Sequence, residues 1–356
     1  MNRIGKIEFK KIKRISPSQF YSMKNCAYKS LLAEAFEKKP LLPLSPNAYV
    51  GTVLHRVLEL ISSGEIKDDI ELTRRFNAEI AIMEERLTGM GYSFFVPLKL
   101  NVKDFGTRQI QLKKHLRTDR NSSAQQKSIK YIPEKWLESK DKLVGGKIDL
   151  IIDDGVDIEI VDFKTGAIKE DTFDDNGDLY QDVKDEYQMQ LKLYAYLFFD
   201  CMGRFPTQLS LVDLTRQKFN VDFSIEECIA IFEESKRILF NTNECIETRV
   251  FNANPSESNC RYCLYRPACS FYLQYQDTES IFNDVCGLVK NVVQYRNGSV
   301  SVFIQKGDQT ITIIGFAVTQ FEVLVNSKNN RLNIFNLKKQ ASEFVYSATK
   351  TTMIYG

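Results

Sequence analysis

The first third of the chain has apolar positions at helical spacing. Ser16 and Pro17 suit the cap and the first residue of a helix, and the apolar residues behind them predict an early helix that carries Cys26. A second amphipathic helix is predicted from Ala48 onward. Its apolar side is formed by Val53, Val57, Leu58 and Ile61. The residues that follow, to about Gly91, keep a mostly helical pattern.

Strand patterns begin in the middle of the chain. Residues 117–130 are polar and aperiodic, which predicts a loop. Residues 147–152 and 156–163 are rich in β-formers, and the Asp154-Gly155 pair between them is a strong hairpin signal. The pattern then predicts a largely buried helix at 185–200, strands at 208–214 and 217–223, and a helix at 224–240.

From about residue 280 the chain alternates apolar and polar positions between short turns. Asn297-Gly298 and Gly307-Asp308 suit hairpin turns in this region. A stretch of about 75 residues is the size of a small domain. We predict a barrel of the oligonucleotide-binding (OB) type, with an SH3-like barrel or a small sandwich as alternatives. The mixture of helices and strands before it predicts an α/β fold.

The chain is close to neutral, but its charge is unevenly distributed. The net charge is +2 over 356 residues. Residues 1–40 have ten Lys/Arg against three Asp/Glu, residues 101–147 have twelve against five, and residues 149–188 have three against fourteen. Basic flanks around an acidic centre suit a polyanion that is brought to a divalent cation. Solvated helix faces and a polar loop are the alternative interpretation.

The hydropathy of the chain gives no sign of a membrane segment. No apolar run approaches the ~20 residues that span a bilayer, and the N-terminus lacks the apolar segment of a secretion signal. We therefore expect a cytoplasmic protein with no membrane partner. In that compartment the eight cysteines are expected to be reduced thiols or metal ligands rather than disulfides.

The stretch GGKIDLIIDDGVDIEIVDFKTG brings two acids and a lysine together. Side chains two residues apart in a strand share a face, so Asp162 and Lys164 point the same way, and the hairpin can bring Asp149 beside them. Two carboxylates bind Mg²⁺ or Mn²⁺ through oxygen, and the backbone carbonyl of Phe163 can add a ligand. Lys164 can then orient a water nucleophile or stabilise the transition state of phosphodiester hydrolysis. In the alternative interpretation, Lys164 only neutralises the two acids.

These residues resemble the PD-(D/E)XK nuclease superfamily, specifically its RecB-like branch, in which a Gly-x-x-Asp strand precedes an Asp-x-Lys-Thr strand. QMQLKLYAYL is similar to the Gln-x-x-x-Tyr helix of that branch and supplies Gln190 and Tyr194, one turn apart on one face. GTVLHRVLE is similar to its Gly-x-x-x-His-x-x-x-Glu helix and supplies His55. The resemblance implies that His55 lies beside the metal. It also implies that Gln190 and Tyr194 face the DNA or position the lysine, and that Glu134 in IPEKWLE is a further acidic metal ligand.

The resemblance covers about residues 15–272 through separated motifs in the expected order. It implies a restriction-endonuclease-like mixed sheet flanked by helices in residues 1–279, with a helical insertion at about 56–130. Residues 280–356 lie outside the family core and form the predicted OB-like barrel. The implied function is metal-dependent hydrolysis of DNA, on single strands or ends, in DNA repair or anti-phage defence. The alternative is a nuclease-like nucleic-acid-binding or regulatory subunit with little cleavage of its own.

The sequence also bears on partners. It contains no G-x-x-x-x-G-K-[ST] motif, so we expect a helicase or ATPase of the kind fused to some relatives, or a defence-complex subunit, to be a separate chain. Residues 280–356 have eight Lys/Arg against four Asp/Glu. Their aromatic residues either stack on bases or fill a barrel core. These are Tyr295, Phe303, Phe316, Phe321 and Phe335.

The segment CRYCLYRPAC places Cys260, Cys263 and Cys269 in a C-x2-C-x5-C array. Zinc normally draws its ligands from two local pairs, whereas here a fourth ligand must come from far away. The sequence resembles RecB-like nucleases with an iron–sulfur cluster, including the AddB type and the CRISPR-adaptation type. That resemblance implies a [4Fe-4S] cluster with Cys26 as its fourth ligand, which would staple the two ends of the nuclease domain together. A zinc site and free thiols are the alternatives.

Overall fold

Helices both precede and follow a block of strands in the computed structural model, which describes residues 1–122, 129–173, 179–278 and 283–356. The helices are α1 (Pro17–Asn25), α2 (Ala27–Ala35), α3 (Pro46–Ser62), α4 (Asp69–Gly89), α5 (Leu98–Asn101), α6 (Phe105–Ser122), α7 (Asp185–Met202), α8 (Ile225–Thr248), α9 (Glu257–Cys260), α10 (Ser270–Thr278) and α11 (Phe321–Val325). Short 3-10 turns lie at Ser93–Phe95, Arg266–Ala268 and Val318–Gln320. The strands are β1 (Lys130–Glu138), β2 (Gly145–Asp153), β3 (Ile158–Lys164), β4 (Lys169–Phe173), β5 (Leu179–Val183), β6 (Gln208–Asp213), β7 (Lys218–Asn220), β8 (Val285–Gln294), β9 (Val300–Lys306), β10 (Gln309–Phe316), β11 (Arg331–Phe335), β12 (Lys338–Lys339), β13 (Val345–Ser347) and β14 (Met353–Tyr355).

One of the two units into which the chain divides, here called the central unit, contains Ile12–Lys24 and Leu44–Glu244. Its sheet has the strand order β1-β2-β3-β6-β7. Strands β3 and β6 are parallel, whereas the other neighbours are antiparallel, so the sheet is mixed. A parallel pair needs a crossover, and here the chain passes through the β4–β5 hairpin and α7 between β3 and β6.

Helices cover both faces of this sheet. Strand alternation sends Val161 and Phe163 to one face and Asp162 to the other. On the first face, Val161 and Phe163 belong to an apolar core that is shared with α3, α4, α5 and α6. On the second face, Gln190 of α7 donates a hydrogen bond to Asp162. The predicted mixed sheet flanked by helices is therefore confirmed.

The second unit, here called the terminal unit, contains Met1–Lys11, Asn25–Pro43 and Cys245–Gly356. Its sheet has the strand order β12-β13-β10-β9-β8-β11-β14 and curls into a half-barrel. Register shifts occur in β8 and in β10, and such bulges increase the local twist of a strand. The predicted β-rich barrel is confirmed as this half-barrel. Its fully buried core includes Val289, Val300, Val302, Ile304, Ile313 and Ile334.

The aromatic residues of the half-barrel mostly serve its core. Phe316 and Phe335 are each 1% exposed, and Phe321 packs against the same core. Tyr295 is 47% exposed, beside the turn between β8 and β9. The positions of Phe316, Phe321 and Phe335 favour the core interpretation over base stacking, whereas Phe303 is only partly buried and lies between the core residues Val302 and Ile304 of β9.

Three local predictions differ from the structure. Cys26 has an extended backbone, with φ of −156°, and separates α1 from α2, so the predicted single helix that carries it is wrong. Helix α6 runs to Ser122, so the predicted loop at 117–130 is wrong for residues 117–122. The good helix formers Arg, Gln, Leu and Lys lie earlier in α6, at residues 108–116, and the helix continues from them through the polar residues 117–122. Strand β1 was not predicted because Pro133 and Glu134 are poor strand formers, and Pro133 is tolerated because β1 is an edge strand.

Two further points concern the limits of the domains. The predicted domain boundary at residues 279–280 lies outside the described residues. Residues 123–128 of the predicted loop also lie outside them. Helices α4, α5 and α6 fall within the predicted helical insertion at about residues 56–130, whereas only the last part of α3 overlaps it. Within the described ranges, no helix is both long and apolar enough to cross a bilayer.

A buried ion pair lies within the terminal unit. The Arg266 side chain donates from Nε to Oδ2 of Asp284 at 2.7 Å, and their side chains are 7% and 2% exposed. Asp284 also accepts hydrogen bonds from the Tyr272 hydroxyl at 2.7 Å and from the backbone N–H of Asn336 at 2.8 Å. Arg266 further donates to the backbone carbonyl of Cys263. The pair thus connects the cysteine segment to the start of β8 and the end of β11.

We expect Asp284→Asn to destabilise the terminal unit by about 3–5 kcal/mol, because it leaves the Arg266 guanidinium buried without a counter-charge. Hydrogen exchange of the amides in β8 and β11 measures this loss. The fluorescence of Trp136, the one tryptophan, reports on the central unit instead. Asp308→Asn, in the turn between β9 and β10, is the control and should leave exchange unchanged. Equal exchange in the two variants would contradict the expectation.

Candidate active site

Two buried carboxylates lie on neighbouring strands of the central unit. Strands β2 and β3 pair up to Leu150 and Val161, and the next residues toward the site are Asp149 and Asp162. Each aspartate is 5% exposed. Beyond the last ladder pair, Oδ2 of Asp149 accepts the backbone N–H of Phe163 at 2.8 Å. The carboxylate of Asp149 therefore takes a backbone donor at the end of the strand pairing.

Helix α3 brings a histidine and a glutamate to the same place. Ser45 caps the helix by accepting the N–H of Ala48, and Pro46 occupies its first turn. His55 and Glu59, one turn apart, share a face. Nε2 of His55 lies 3.1 Å from Oδ1 of Asp149 and 3.4 Å from Oε1 of Glu59.

Gly51 lets α3 approach the end of β3 closely. A Cβ atom at this glycine would lie 3.1 Å from Oγ1 of Thr165, so a larger side chain would push the helix and the turn apart. The glycine of the Gly-x-x-x-His pattern thus determines how closely α3 can bring His55 to Asp149.

The protonation of the acids and the histidine is strongly coupled. Burial lowers the pKa of His55, but hydrogen bonds to Asp149 and Glu59 and their negative charges outweigh burial and raise it to about 10. Burial raises the pKa of Glu59, but hydrogen bonds from His55, and then from the neighbouring cations, hold it well below its usual range. Burial raises the pKa of Asp162 to about 6. The positive charge of Lys164 opposes this rise, and the negative charge of Asp149 adds to it.

Lys164 is held from three sides. Its Nζ lies 2.8 Å from Oδ2 of Asp162 and donates to Oε1 of Gln190 at 2.9 Å. The same ammonium lies 4.3 Å from the ring centroid of Tyr187, a cation–π distance. Gln190 in turn donates from Nε2 to Oδ1 of Asp162 at 2.8 Å. Gln190 therefore fixes the acid and the lysine relative to each other.

Tyr194 supports the site from α7. Its hydroxyl donates to the backbone carbonyl of Lys147 in β2 at 2.7 Å, and the residue is 4% exposed. A Cβ at Gly146 would lie 2.8 Å from Pro17 and 3.1 Å from the Tyr194 ring, so only glycine fits between them. Tyr194 thus joins α7 to the strand that carries Asp149.

The donor set suits a divalent cation. One ligand atom from each of His55, Glu59 and Asp149 lies within 4.8 Å of the others, and the described part of the chain contains no other such group of three or more. Oδ2 of Asp162 is buried and, among the described residues, has no partner in hydrogen-bond geometry besides the ion pair with Lys164. Carboxylate oxygens with one imidazole are ligands that Mg²⁺ and Mn²⁺ accept. All of these residues line one cleft of about 820 Å³.

The sequence pattern of the PD-(D/E)XK nuclease superfamily matches residues 14–270. The chain belongs to this superfamily. No curated protein matches the sequence. The matched range contains both strands of the acid pair, helix α3 and helix α7. The superfamily uses divalent metals, and the acids of the cleft are compatible with that use.

Most of the residues predicted for the acid–lysine site line the cleft. Phe163 and Glu134 make contacts other than those predicted. The side chain of Phe163 packs in the apolar core, and its backbone N–H donates a hydrogen bond to Asp149. The role of its backbone carbonyl as a metal ligand stays a prediction. Glu134 lies outside the His55 group. It accepts hydrogen bonds from Arg56 at 3.1 Å and from Lys147 at 2.8 Å.

Glu59 was not predicted as a site residue. The signal was present, because the pattern Gly-x-x-x-His-x-x-x-Glu puts Glu59 one turn after His55 on the same face of α3. A glutamate on an amphipathic helix is usually solvated, and only burial to 6% exposure distinguishes this one. Tyr187, under the lysine, had no signal beyond its place one turn before Gln190.

The four cysteines of the predicted cluster lie together in the terminal unit. All are free thiols that line one small cavity, and Cys260, Cys263 and Cys269 are 7–8% exposed. The Asn259 side chain donates to the backbone carbonyl of Asn25 at 3.4 Å, which joins the α1–α2 junction to α9. The structure therefore brings Cys26 to the C-x2-C-x5-C segment.

Deprotonation of Cys260, Cys263 and Cys269 is unfavourable in this cavity. Burial, and then the negative charges of Cys263, Cys26 and Cys260, raise the pKa of Cys269 to about 12, although the N–H of Tyr272 bonds to its sulfur. Burial likewise raises the pKa of Cys260 and of Cys263. The thiol form of Cys260, Cys263 and Cys269 is therefore favoured in the cavity as it stands.

We expect Glu59→Gln to weaken Mn²⁺ binding by roughly 10–100-fold, because it removes one anionic oxygen from the ligand group. Isothermal titration of the purified protein measures the affinity. Glu159→Gln is the matched control, since Glu159 is also a shielded carboxylate paired with a lysine, Lys218, and it lies outside the cleft. Unchanged affinity in Glu59→Gln would show that the glutamate only supports the helix.

Proposed function

We propose that the chain is a nuclease that hydrolyses the phosphodiester bonds of DNA, on single strands or ends, with Mg²⁺ or Mn²⁺. The observation that carries the proposal is the meeting of a metal-ligand group with a fixed ammonium in one cleft. Negative charge builds on the phosphate during hydrolysis, and cations that are already in position stabilise it. Membership of the nuclease superfamily supports the same reaction.

His55, Glu59 and Asp149 would hold the metal, and Asp162 would contribute its buried Oδ2. When bound, a divalent cation lowers the pKa of a water molecule and withdraws charge from the scissile phosphate. The histidine must be neutral to act as a ligand, so it loses its proton on binding. The acids lose their mutual repulsion at the same time.

Lys164 makes the chain's own contribution to the reaction. Asp162, Gln190 and the Tyr187 ring hold its ammonium in one orientation. Two of its three N–H groups are taken by Asp162 and Gln190, and the third can donate to the attacking water or to a phosphate oxygen of the pentavalent transition state. Because the donor is already fixed, little reorganisation is needed when the charge develops.

The substrate class rests on charge and on resemblance. The cations Arg56, Arg108 and Lys147 line the same cleft as the acids, and they suit the phosphates of a nucleic-acid strand. The preference for single strands or ends comes from the resemblance to the RecB-like branch. From the same resemblance we propose a role in DNA repair or anti-phage defence, beside a helicase, ATPase or defence subunit on a separate chain. From the hydropathy of the chain we propose that this role is cytoplasmic.

We expect Lys164→Gln to slow cleavage of labelled single-stranded DNA by about 100-fold or more in Mn²⁺, because the fixed ammonium is lost from the transition state. Lys192→Gln is the matched control. Lys192 lies on α7 with a side chain 12% exposed against 15% for Lys164, and it pairs with Glu227 away from the cleft. The control should cleave at the wild-type rate.

The alternative function gives the opposite result. If wild-type protein cleaves single- and double-stranded DNA no faster than Lys164→Gln, in Mg²⁺ or Mn²⁺, the enzyme proposal fails. A nucleic-acid-binding or regulatory subunit would then be the better description of the chain.

We also propose that Cys26, Cys260, Cys263 and Cys269 bind a [4Fe-4S] cluster with a structural role. The four thiols line one small cavity, so the chain offers as many sulfur ligands as a [4Fe-4S] cluster takes. The preference for the cluster over zinc comes from the resemblance to RecB-like nucleases that have one.

We expect protein purified without oxygen to be brown and to contain four irons and four labile sulfides per chain. Cys263→Ser should lose the colour and unfold at a lower temperature, because a ligand to the cluster is gone. Cys286→Ser is the matched control, since Cys286 is a 3% exposed thiol of the same unit outside the cavity. A colourless protein with one zinc per chain would overturn the cluster proposal.

A further inference from the structure

Two cations stand side by side at the mouth of the cleft. Nη1 of Arg56 donates to Oε2 of Glu59 at 3.0 Å and to Oε1 of Glu134 at 3.1 Å. Nζ of Lys147 donates to Oε1 of Glu59 at 3.1 Å and to Oε1 of Glu134 at 2.8 Å. The side chains of Arg56 and Lys147 remain 45% and 42% exposed. Two carboxylates thus fix two accessible cations next to the metal-ligand group.

The cations keep donors that the carboxylates do not use. Guanidinium has five N–H groups, and both hydrogens of Nη1 on Arg56 point to carboxylates. Among the described residues, its Nε and Nη2 have no partner, and neither does the third hydrogen of Lys147. These donors belong to side chains that line the cleft. An arginine edge with one ammonium beside it matches the oxygens of a phosphodiester.

The conformation of Glu134 indicates that the arrangement is specific. In the β1–β2 register, Pro133 faces Leu150 and Lys135 faces Ile148, so Glu134 stands opposite Asp149. A regular strand would put the two acids side by side on one face. Glu134 instead has a φ of +51°, which an L-residue adopts only at a cost of about 1–2 kcal/mol. Its carboxylate meets the two cations rather than the ligand group.

We propose that Arg56 and Lys147 form a binding subsite for a backbone phosphate of the DNA strand, next to the phosphate that is cleaved, and that Glu134 is the positioning residue of this subsite. The inference rests on the proposed nuclease function and adds to it the contact that places the strand. Glu134 is then not a metal ligand, in contrast to the expectation from the sequence.

The charges of the cleft make this subsite depend on the metal. Four carboxylates, those of Glu59, Glu134, Asp149 and Asp162, offset the cations of the cleft before a metal binds. A divalent cation makes the cleft more positive, so the loaded site attracts the strand more strongly than the empty one. Binding of substrate and metal should therefore be cooperative.

The test is binding of a fluorescein-labelled oligothymidylate, measured by anisotropy at saturating Mn²⁺ and several salt concentrations. All variants are made in the Lys164→Gln background, so slow cleavage does not disturb the measurement. We expect Arg56→Gln and Lys147→Gln each to weaken binding about tenfold or more. Each should also reduce the slope of log Kd against log salt concentration by about 0.7, the value for one phosphate of a single strand.

Two variants serve as matched controls. Arg204 is 49% exposed and pairs with Asp153, and Lys218 is 42% exposed and pairs with Glu159. Both lie outside the cleft but have nearly the same exposure as Arg56 and Lys147 and are likewise paired with carboxylates. Arg204→Gln and Lys218→Gln should keep the slope. Arg56→Lys should keep the slope but bind more weakly, because it retains the charge without the guanidinium edge. Circular dichroism checks that each variant is folded.

Glu134→Gln separates the two roles of the glutamate. Glu134→Gln keeps an oxygen that can accept from Arg56 and Lys147 and removes only the negative charge. The two cations should therefore stay in position, the Mn²⁺ affinity should be unchanged, and oligonucleotide binding should be tighter, because the strand is repelled by one carboxylate fewer. A loss of Mn²⁺ affinity like that of Glu59→Gln would make Glu134 a metal ligand and overturn its proposed role. Slopes for Arg56→Gln and Lys147→Gln equal to the controls would overturn the subsite. Neither result depends on whether the wild type cleaves DNA.

Discussion

The site depends on the burial of two carboxylates on adjacent strands. Asp149 and Asp162 are each 5% exposed and are close enough that the charge of Asp149 raises the pKa of Asp162. Such a pair is costly unless each carboxylate has its own donors. Asp149 has the N–H of Phe163 and the ring of His55, and Asp162 has Gln190 and the Lys164 ammonium. His55, Gln190 and Lys164 therefore belong to the proposed catalytic site and also make this burial tolerable.

The donors that stabilise the two buried aspartates lie on α3 and α7, so these helices must pack closely around the strands. Gly51 allows α3 to approach Thr165, and Gly146 leaves the space that the Tyr194 ring occupies. A methyl group at either glycine would move a helix that carries a ligand or a donor. The glycines of the two motifs are thus packing constraints, and a site of this kind tolerates misplacement of about 1 Å poorly.

The fold and much of the site were predictable because they depend on local patterns. The Asp154-Gly155 turn with its two apolar flanks gave the β2–β3 hairpin, and the two-residue period put Asp162 and Lys164 on one face. The role of Glu134 was not predictable, because it depends on a left-handed φ in an edge strand that the sequence does not favour. Glu59 differs from a solvated glutamate only by its burial, and burial depends on residues far along the chain such as Lys147.

The path of the chain gives the cysteine site a distinct physical consequence. Roughly 230 residues separate Cys26 from Cys260, and Leu44–Glu244 of the central unit lies within that interval. A cluster bound by Cys26 and Cys260 would close the chain between them into a loop, in the unfolded protein as well as in the folded one. In the chain-entropy account, closure of so long a loop removes on the order of 5 kcal/mol of unfolded-state entropy. Burial of the acids of the central unit is costly, and closure of the loop would offset that cost through the unfolded chain, without a change in the charges on which the proposed catalysis depends.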